Sequence, residues 1–383
     1  MLNGKSILLL LFFLMNLSQL SAEDLKFDSL ITSCIDQIYG IRFDDAQQTI
    51  GVIEKKYPGH PAPKFFDAMI VWWKILLDLS DEKYDDLFYD KLEGVIDFCD
   101  EILDAEPDNV DALFFKGGAL GFRGRLSGIR NNWFDAAADG KDALPLVYRA
   151  YEIDSTNVDV QLGFGIYNYY AAVIPKKYPM VEPIMIFFPK GDKKKGLEQL
   201  NYVAEKGKYA RVESIYFLAT LYYNFEENYF RSQRYTEKLV DLFPYNPRFH
   251  RMLGRVLYRR NYTDSSVAVF KEILDRAENN IPGYNDQAKR ESTYYIALNH
   301  KNNSETDSAR YYFEMCYKLC RKLDKDEESG FLINTALYLG QLYDQLGLRK
   351  EAMEKYEEVL DYKERGMSHE LAEQYLETPY RGN

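Results

Sequence analysis

LGQLYDQLGLRKEAMEKYEEV, Leu339 to Val359, reads as two short helices joined by a turn. The first carries Leu339, Gly340, Leu342 and Tyr343; the turn is marked by Gly347; the second carries Ala352, Tyr356 and Val359. Spacings of four and three place the last trio on one helical face, the stripe that a helix buries. Glycine lacks a Cβ, so a partner helix can approach Gly340 closely, and a small residue at the head of the second stripe lets the two backbones meet. The segment is therefore a helical hairpin with one glued seam.

The stripe recurs up the chain. It appears as Ala46/Ile50/Ile53, Val95/Cys99/Ile102, Ala143/Val147/Ala150, Gly196/Leu200/Val203, Ser232/Thr236/Leu239, Ser266/Phe270/Ile273 and Ala309/Phe313/Cys316. The small residue of the first helix recurs as Ala68, Gly117, Gly165, Ala219, Gly254, Ala297 and Gly340. Pro58, Pro107 and Pro244 each follow a stripe by five residues and stop the second helix. The pattern resembles the tetratricopeptide (TPR) repeat. It implies an all-α fold, a TPR-like right-handed superhelical solenoid of about eight helix pairs, with an amphipathic capping helix at Ser368–Tyr375. No long window alternates with period two, so strands are not expected. A single solenoid over 23–383 with neighbour-only contacts would account for a chain longer than one compact core sustains.

Two stretches depart from the repeat: about 117–135, which is glycine-rich, and about 174–195, where Pro175, Pro179, Pro183 and Pro189 should interrupt any helix. Gly163 to Tyr170, Ile174-Pro175, Phe188 to Asp192 and Gly196 to Leu200 resemble a bacterial group of exported TPR proteins of unknown function. More distantly they are similar to the eukaryotic inclusion-body clearance TPR family. Neither resemblance carries an established reaction.

The composition bounds the chemistry. The 383 residues hold 60 Asp+Glu against 48 Lys+Arg, a formal charge of −12, which repels phosphate backbones and sets nucleic acid aside as a partner. The 32 Tyr and 23 Phe suit helix-on-helix packing with hydroxyls at the wet edge. At the N-terminus Lys5, the apolar run Ile7–Leu17 and the small residues up to Ala22 read as a cleaved secretory signal, too short to span a bilayer. A periplasmic or secreted location follows as the expectation. Ile31-Thr32-Ser33-Cys34 is too far from that run to be a lipidation site. Cys316 and Cys320 lie on one helix face, in poor disulfide geometry.

No reaction centre is legible. His60, His250, His300 and His369 are scattered, and neither a His-Glu-x-x-His nor a Cys-x-x-Cys motif is present, so no metal, cofactor or catalytic residue is expected. The glycine stretch lacks the Gly-Lys-Ser/Thr of a phosphate loop and reads as close helix packing. The expectation is a non-enzymatic scaffold holding a protein or peptide. Its candidate binding residues are Arg123, Arg125, Arg130, Trp133, Tyr167, Tyr169 and Tyr170, since arginine and rigid aromatic rings dominate binding hot spots. The other reading of these residues is ion-paired arginines and interhelical rings. Ile184–Phe188 followed by Lys190, Lys193, Lys194 and Lys195 suits an anionic membrane surface, which makes a peripheral membrane adaptor the alternative. A small-molecule binder or enzyme centred on 117–210 is the third.

Overall fold

The computed structural model describes residues 26–181, 188–325 and 327–382. The expected signal segment, 1–22, and most of the Ile184–Phe188 run lie outside them. The described residues are helical without a strand, in eight successive pairs. The pairs are α1 (26–39) with α2 (Phe43–Lys56), α3 (Ala62–Leu77) with α4 (Asp85–Ala105), and α5 (Val110–Ile129) with α6 (Trp133–Ile153). Then come α7 (Gln161–Lys177) with α8 (Lys193–Lys206), α9 (Arg211–Asn224) with α10 (Tyr229–Leu242), and α11 (Pro247–Arg259) with α12 (Thr263–Glu278). The last pairs are α13 (Asp286–Asn302) with α14 (Thr306–Leu323) and α15 (Gly330–Gln345) with α16 (Arg349–Asp361). Helix α17 (Ser368–Glu377) caps the array, burying Ala372 and setting Tyr375 5.5 Å from the ring of Tyr356.

Each stripe read from the sequence lies on the second helix of a pair. The middle residue of the stripe enters the space left by the small residue of the first helix. A Cβ at Gly254 would stand 2.6 Å from the Phe270 ring, one at Gly165 2.8 Å from Leu200, and one at Gly117 3.3 Å from Val147; Gly340 faces Tyr356 in the same way. Ser232, Thr236 and Leu239, and Ser266, Phe270 and Ile273, are all fully buried. The head of the stripe touches the opposing backbone: the Ser266 hydroxyl donates to the Gly254 carbonyl at 2.8 Å. The fold is thus all-α and TPR-like, with the registry of the pairs set by side-chain volume.

Six of the eight turns within pairs share one geometry. Ile41, Asn131, Glu227, Asn261, Ser304 and Gly347 each adopt a left-handed φ of 49–75° between the two helices. At five of these turns the next residue's N–H reaches back five residues: Arg42 to Gln37, Asn132 to Ser127, Tyr262 to Leu257, Glu305 to His300 and Leu348 to Tyr343. This is the helix-ending arrangement that glycine favours, here carried mostly by other residues. Between pairs, side-chain oxygens of Asn109, Asn246, Asn285 and Ser329 accept from the first-turn amides of the following helix.

Two expectations need correction. The glycine-rich stretch is no insertion, because Gly117, Gly118, Gly121, Gly124 and Gly128 all lie within the continuous helix α5. Glycine is tolerated there because the neighbouring helix takes the space: a Cβ at Gly124 would stand 3.1 Å from the Ala136 carbonyl. Likewise Pro175 does not end its helix, which continues to Lys177. In the last turn a proline removes one ladder bond, and the Tyr178 amide closes the helix on the Ile174 carbonyl at 2.8 Å. Between Lys177 and Lys193 the described residues hold a short 3₁₀ turn at Pro179–Val181.

The chain forms two compact units, one ending at Thr220 and one beginning at Leu221, so the division falls within α9. The first unit does not keep to neighbour-only contacts. Helix α1 lies against the stretch that follows α8, where Asp28 pairs with Lys208 and Tyr209 and the Tyr39 hydroxyl donates to Glu213, 174 residues away in sequence. Trp73 of α3 fills the space between, 4.9 Å from the Tyr39 ring and 6.1 Å from that of Tyr216. Large rings on the first helices draw distant pairs together there.

Candidate functional site

In the first unit each of the three candidate arginines has a carboxylate partner. Arg123 holds Asp139 through Nε and Nη2 at 2.9 and 2.6 Å and Glu93 through Nη1 at 2.6 Å. Arg130 forks onto Asp85 at 2.5 and 3.0 Å and donates to the Leu79 carbonyl at 2.6 Å. Arg125 donates from Nη1 to Glu213 at 2.5 Å. Its guanidinium also lies within 6 Å of four rings: Phe217 at 4.4 Å, Trp72 at 5.0 Å, Tyr216 at 5.7 Å and Phe122 at 5.9 Å. Burial pushes the Tyr170 phenol up to about 12, against the pull of the Arg125 charge.

The four aromatic candidates are not gathered into one surface. Tyr169 is fully buried against the Gly196 backbone. Tyr170 joins the Arg125 neighbourhood, 6.4 Å from Phe217. Tyr167 donates its hydroxyl to the Pro189 carbonyl at 2.5 Å, fastening the irregular segment to α7. Trp133 sits elsewhere, its ring 5.4 Å from that of Tyr178. Lys193, Lys194 and Lys195 form the first turn of α8, where Asp192 accepts from the Lys195 amide at 3.0 Å; Lys190 precedes it, exposed. Lys194 is 88% exposed and 3.8 Å from Glu198. Cations at a helix N-terminus oppose its dipole, so this edge of positive charge is not a helix-stabilising device.

The second unit holds a constellation that the sequence reading passed over. Glu291 on α13 is fully buried. Its carboxylate accepts from Arg251 Nε at 2.5 Å and faces Arg255 Nε at 3.5 Å. Arg290 adds a third guanidinium nearby, itself paired with Asp324 at 2.6 Å. Burial would raise the Glu291 pKa, but the charges of Arg251 and Arg255 outweigh it and hold the carboxyl below its usual range, ionised. Arg251 spends only its Nε edge on Glu291. Its two η nitrogens have no hydrogen-bond partner among the described residues, and the side chain is 16% exposed. Arg259, two turns further along α11, meets only tyrosines among the described residues, Tyr223 by hydrogen bond and the Tyr229 ring at 5.8 Å.

The signal for this cluster was present in the sequence. From Leu242 to Thr263 there is no acidic residue and there are five arginines, of which Arg248, Arg251, Arg255 and Arg259 are spaced three, four and four apart. That is one face of one helix, the first helix of its pair. Its carboxylate lies 40 residues downstream and could only be assigned in space.

Among the described residues no group of His, Cys, Asp and Glu is arranged to hold a metal ion, and no helix is long and apolar enough to cross a membrane. The four cysteines are unpaired and buried, with Cys316 and Cys320 sulfurs 4.0 Å apart. No family model and no curated protein matches the chain. Among solved structures it is similar to the C-terminal part of a TPR repeat-containing protein from Cytophaga hutchinsonii (14% identity, TM-score 0.37, covering 80% of this chain and 98% of that one). It is also similar to yeast Tom70 (14%, 0.41, 93% and 83%) and to the human IFIT1 dimer with m7Gppp-AAAA (9%, 0.37, 92% and 85%).

Proposed function

We propose that this chain is an exported, non-enzymatic scaffold that binds a protein or peptide partner on the face of its first helices, with the second unit as the contact. One observation carries the reading: Arg251, Arg255 and Arg259 share a helix face with a single buried carboxylate among them. Folding alone gives no reason to leave the η nitrogens of Arg251 without a hydrogen-bond partner among the described residues, since a structural pair needs one acid per base. Export rests on the Lys5, Ile7–Leu17 and Ala22 pattern. Its test is the N-terminus of the protein recovered from cells: a start near Glu23 supports it, and retention of Met1 sinks it. For binding, a photo-crosslinking residue placed at Tyr258 is compared in the native envelope with one at Glu357, on the last pair. A product specific to position 258 is expected; identical products, or none, end the reading.

A second reading has its own observation. Phe134 is 77% exposed and adjoins Trp133, whose ring meets Tyr178 just before the irregular segment and its lysines. Exposed rings beside cations suit an anionic lipid surface. Co-sedimentation with phosphatidylglycerol vesicles at low salt, lost in Phe134→Ser, is the expected result; no sedimentation of the wild type rejects membrane contact.

A further inference from the structure

We infer that the face of α11 binds an extended acidic peptide segment with carboxylates at alternate residues, seated by Arg251, Arg255 and Arg259. The inference rests on the scaffold reading above and names the chemistry of its partner.

The charge balance comes first. Glu291 faces two guanidinium groups of α11 and occupies the Nε edge of Arg251. A guanidinium presents its donors as a planar fork, and the edge formed by the two η nitrogens is one of the two that can grip a carboxylate through two parallel bonds. At Arg251 that edge has no partner among the described residues. Glu291 is buried and ionised, so it orients the side chain without competing for that edge.

Spacing comes second. Arg251, Arg255 and Arg259 are each four residues apart, so they climb α11 in steps of about 6 Å. Alternate residues of an extended chain are about 6.8 Å apart and point the same way. A peptide running along α11 with Asp or Glu at every second position keeps step with the arginines over three positions. A contiguous acidic run does not, because its neighbouring side chains point to opposite sides. Tyr295 lines the same face: its phenol is pushed above its usual range by burial and then by Glu291, with Arg255 and Arg259 beside it. Its ring stacks on Phe270 at 4.5 Å, so it anchors this face to the core of the pair.

The same face could attract a nucleic acid, and the charge argues against it. Few guanidinium groups are in excess here, whereas the whole chain carries −12. Long polyanions bind by neutralising many phosphates at once, so a short carboxylate array is the better match.

The test uses the full chain and fluorescence anisotropy at low and physiological salt. The probe is a nine-residue peptide, acetylated and amidated, with Glu at alternate positions; the comparators carry Gln there, contiguous Glu, or Lys, alongside a nine-nucleotide single-stranded RNA. The alternating Glu peptide should bind most tightly, the Gln peptide at least about tenfold more weakly, with affinity falling as salt rises. Arg251→Gln and Arg259→Gln should each weaken binding about tenfold. Arg259 makes no pair with Glu291, so its variant remains informative if Arg251→Gln fails to fold. Equal binding of the Glu and Gln peptides, tighter binding of the Lys peptide or the RNA, or indifference to Arg259→Gln overturns the proposal. If no peptide binds while crosslinking at position 258 captures a partner, the acidic ligand is wrong and the scaffold stands. If both fail, both fall.

Discussion

Glu213 in the first unit and Glu291 in the second occupy the same register, six residues before the small residue of their helices, Ala219 and Ala297. Both are buried and both receive arginine, yet their surroundings differ in sum. Glu213 meets one guanidinium and one phenol, Arg125 and Tyr39, and rings cover the arginine. Glu291 faces Arg251 and Arg255, and Arg251's η nitrogens have no hydrogen-bond partner among the described residues. One repeat position thus gives a balanced interior knot in one place and an unbalanced cationic face in another. The excess of base over acid, and not the presence of arginine, separates the proposed binding face from a packing device.

The largest test of that contrast is removal of the carboxylates. Glu291→Ala leaves Arg251 and Arg255 close together with no counter-charge, and the loss should be about 3–5 kcal/mol, read from urea unfolding by circular dichroism. Glu213→Ala should cost less, because Arg125 keeps its rings. A smaller loss at Glu291 than at Glu213 would break the comparison.

Arg125→Gln and Arg259→Gln make the next pair. The first removes a buried partner of Glu213 and several cation–π contacts, and should lower stability by about 2–4 kcal/mol. The second sits on an exposed helix position and should change stability by less than about 0.5 kcal/mol, while weakening acidic-peptide binding about tenfold. Parallel losses of stability would erase the distinction between knot and face.

A third test is local to the second unit. Burial, and then the charge of Arg276, pushes the His250 pKa down to about 4, with the Tyr284 hydroxyl 2.9 Å from its Nδ1. In the unfolded chain the ring titrates near about 6.5. As pH falls the unfolded chain gains the proton first, so this contribution is complete above about pH 6.5 and is lost toward pH 4. Between about pH 7.5 and 5 the loss should be about 2 kcal/mol. His250→Gln should flatten the slope over that range, measured by urea unfolding at the two pH values; an unchanged slope places the titration elsewhere.

The smallest effect sharpens the lysine edge of the first unit. Lys194→Gln should alter stability by less than about 0.5 kcal/mol, since its ion pair with Glu198 is exposed on both sides. A larger thermal shift would mean that Lys194 makes contacts beyond this pair.

The helix pairs were legible because their seams are local. A stripe such as Ala309/Phe313/Cys316 and a small residue such as Ala297 lie within one hairpin, and volume alone pairs them. The turns were only half legible, because Asn131, Asn261 and Gly347 are of the types expected at a left-handed φ, whereas Ile41, Glu227 and Ser304 are not. Gly117 and Gly124 were legible as close-packing residues; what stayed illegible is that the helix runs unbroken through the whole glycine stretch to Ile129. Arg123, Arg125 and Arg130 were found as residues, but their carboxylates lie 16 to 88 residues away and only the fold brings them close. The arginine stripe on α11 was readable as a period and needed only the question of where its acids are.

The clasp of α1 onto the far end of its unit has a consequence in time. Pairings such as Arg251 with Glu291 close over 40 residues, whereas Tyr39 and Asp28 must find partners 174 and 181 residues away. Longer closures cost more chain entropy and slow the search. Helices α3 to α9 must be assembled before that end exists to receive α1. Until then Trp73 lacks the ring of Tyr39 on one side. The contacts that the helix nearest the N-terminus among those described makes with the far end of its unit are therefore expected to form late, after the helices between them, although that helix is made first.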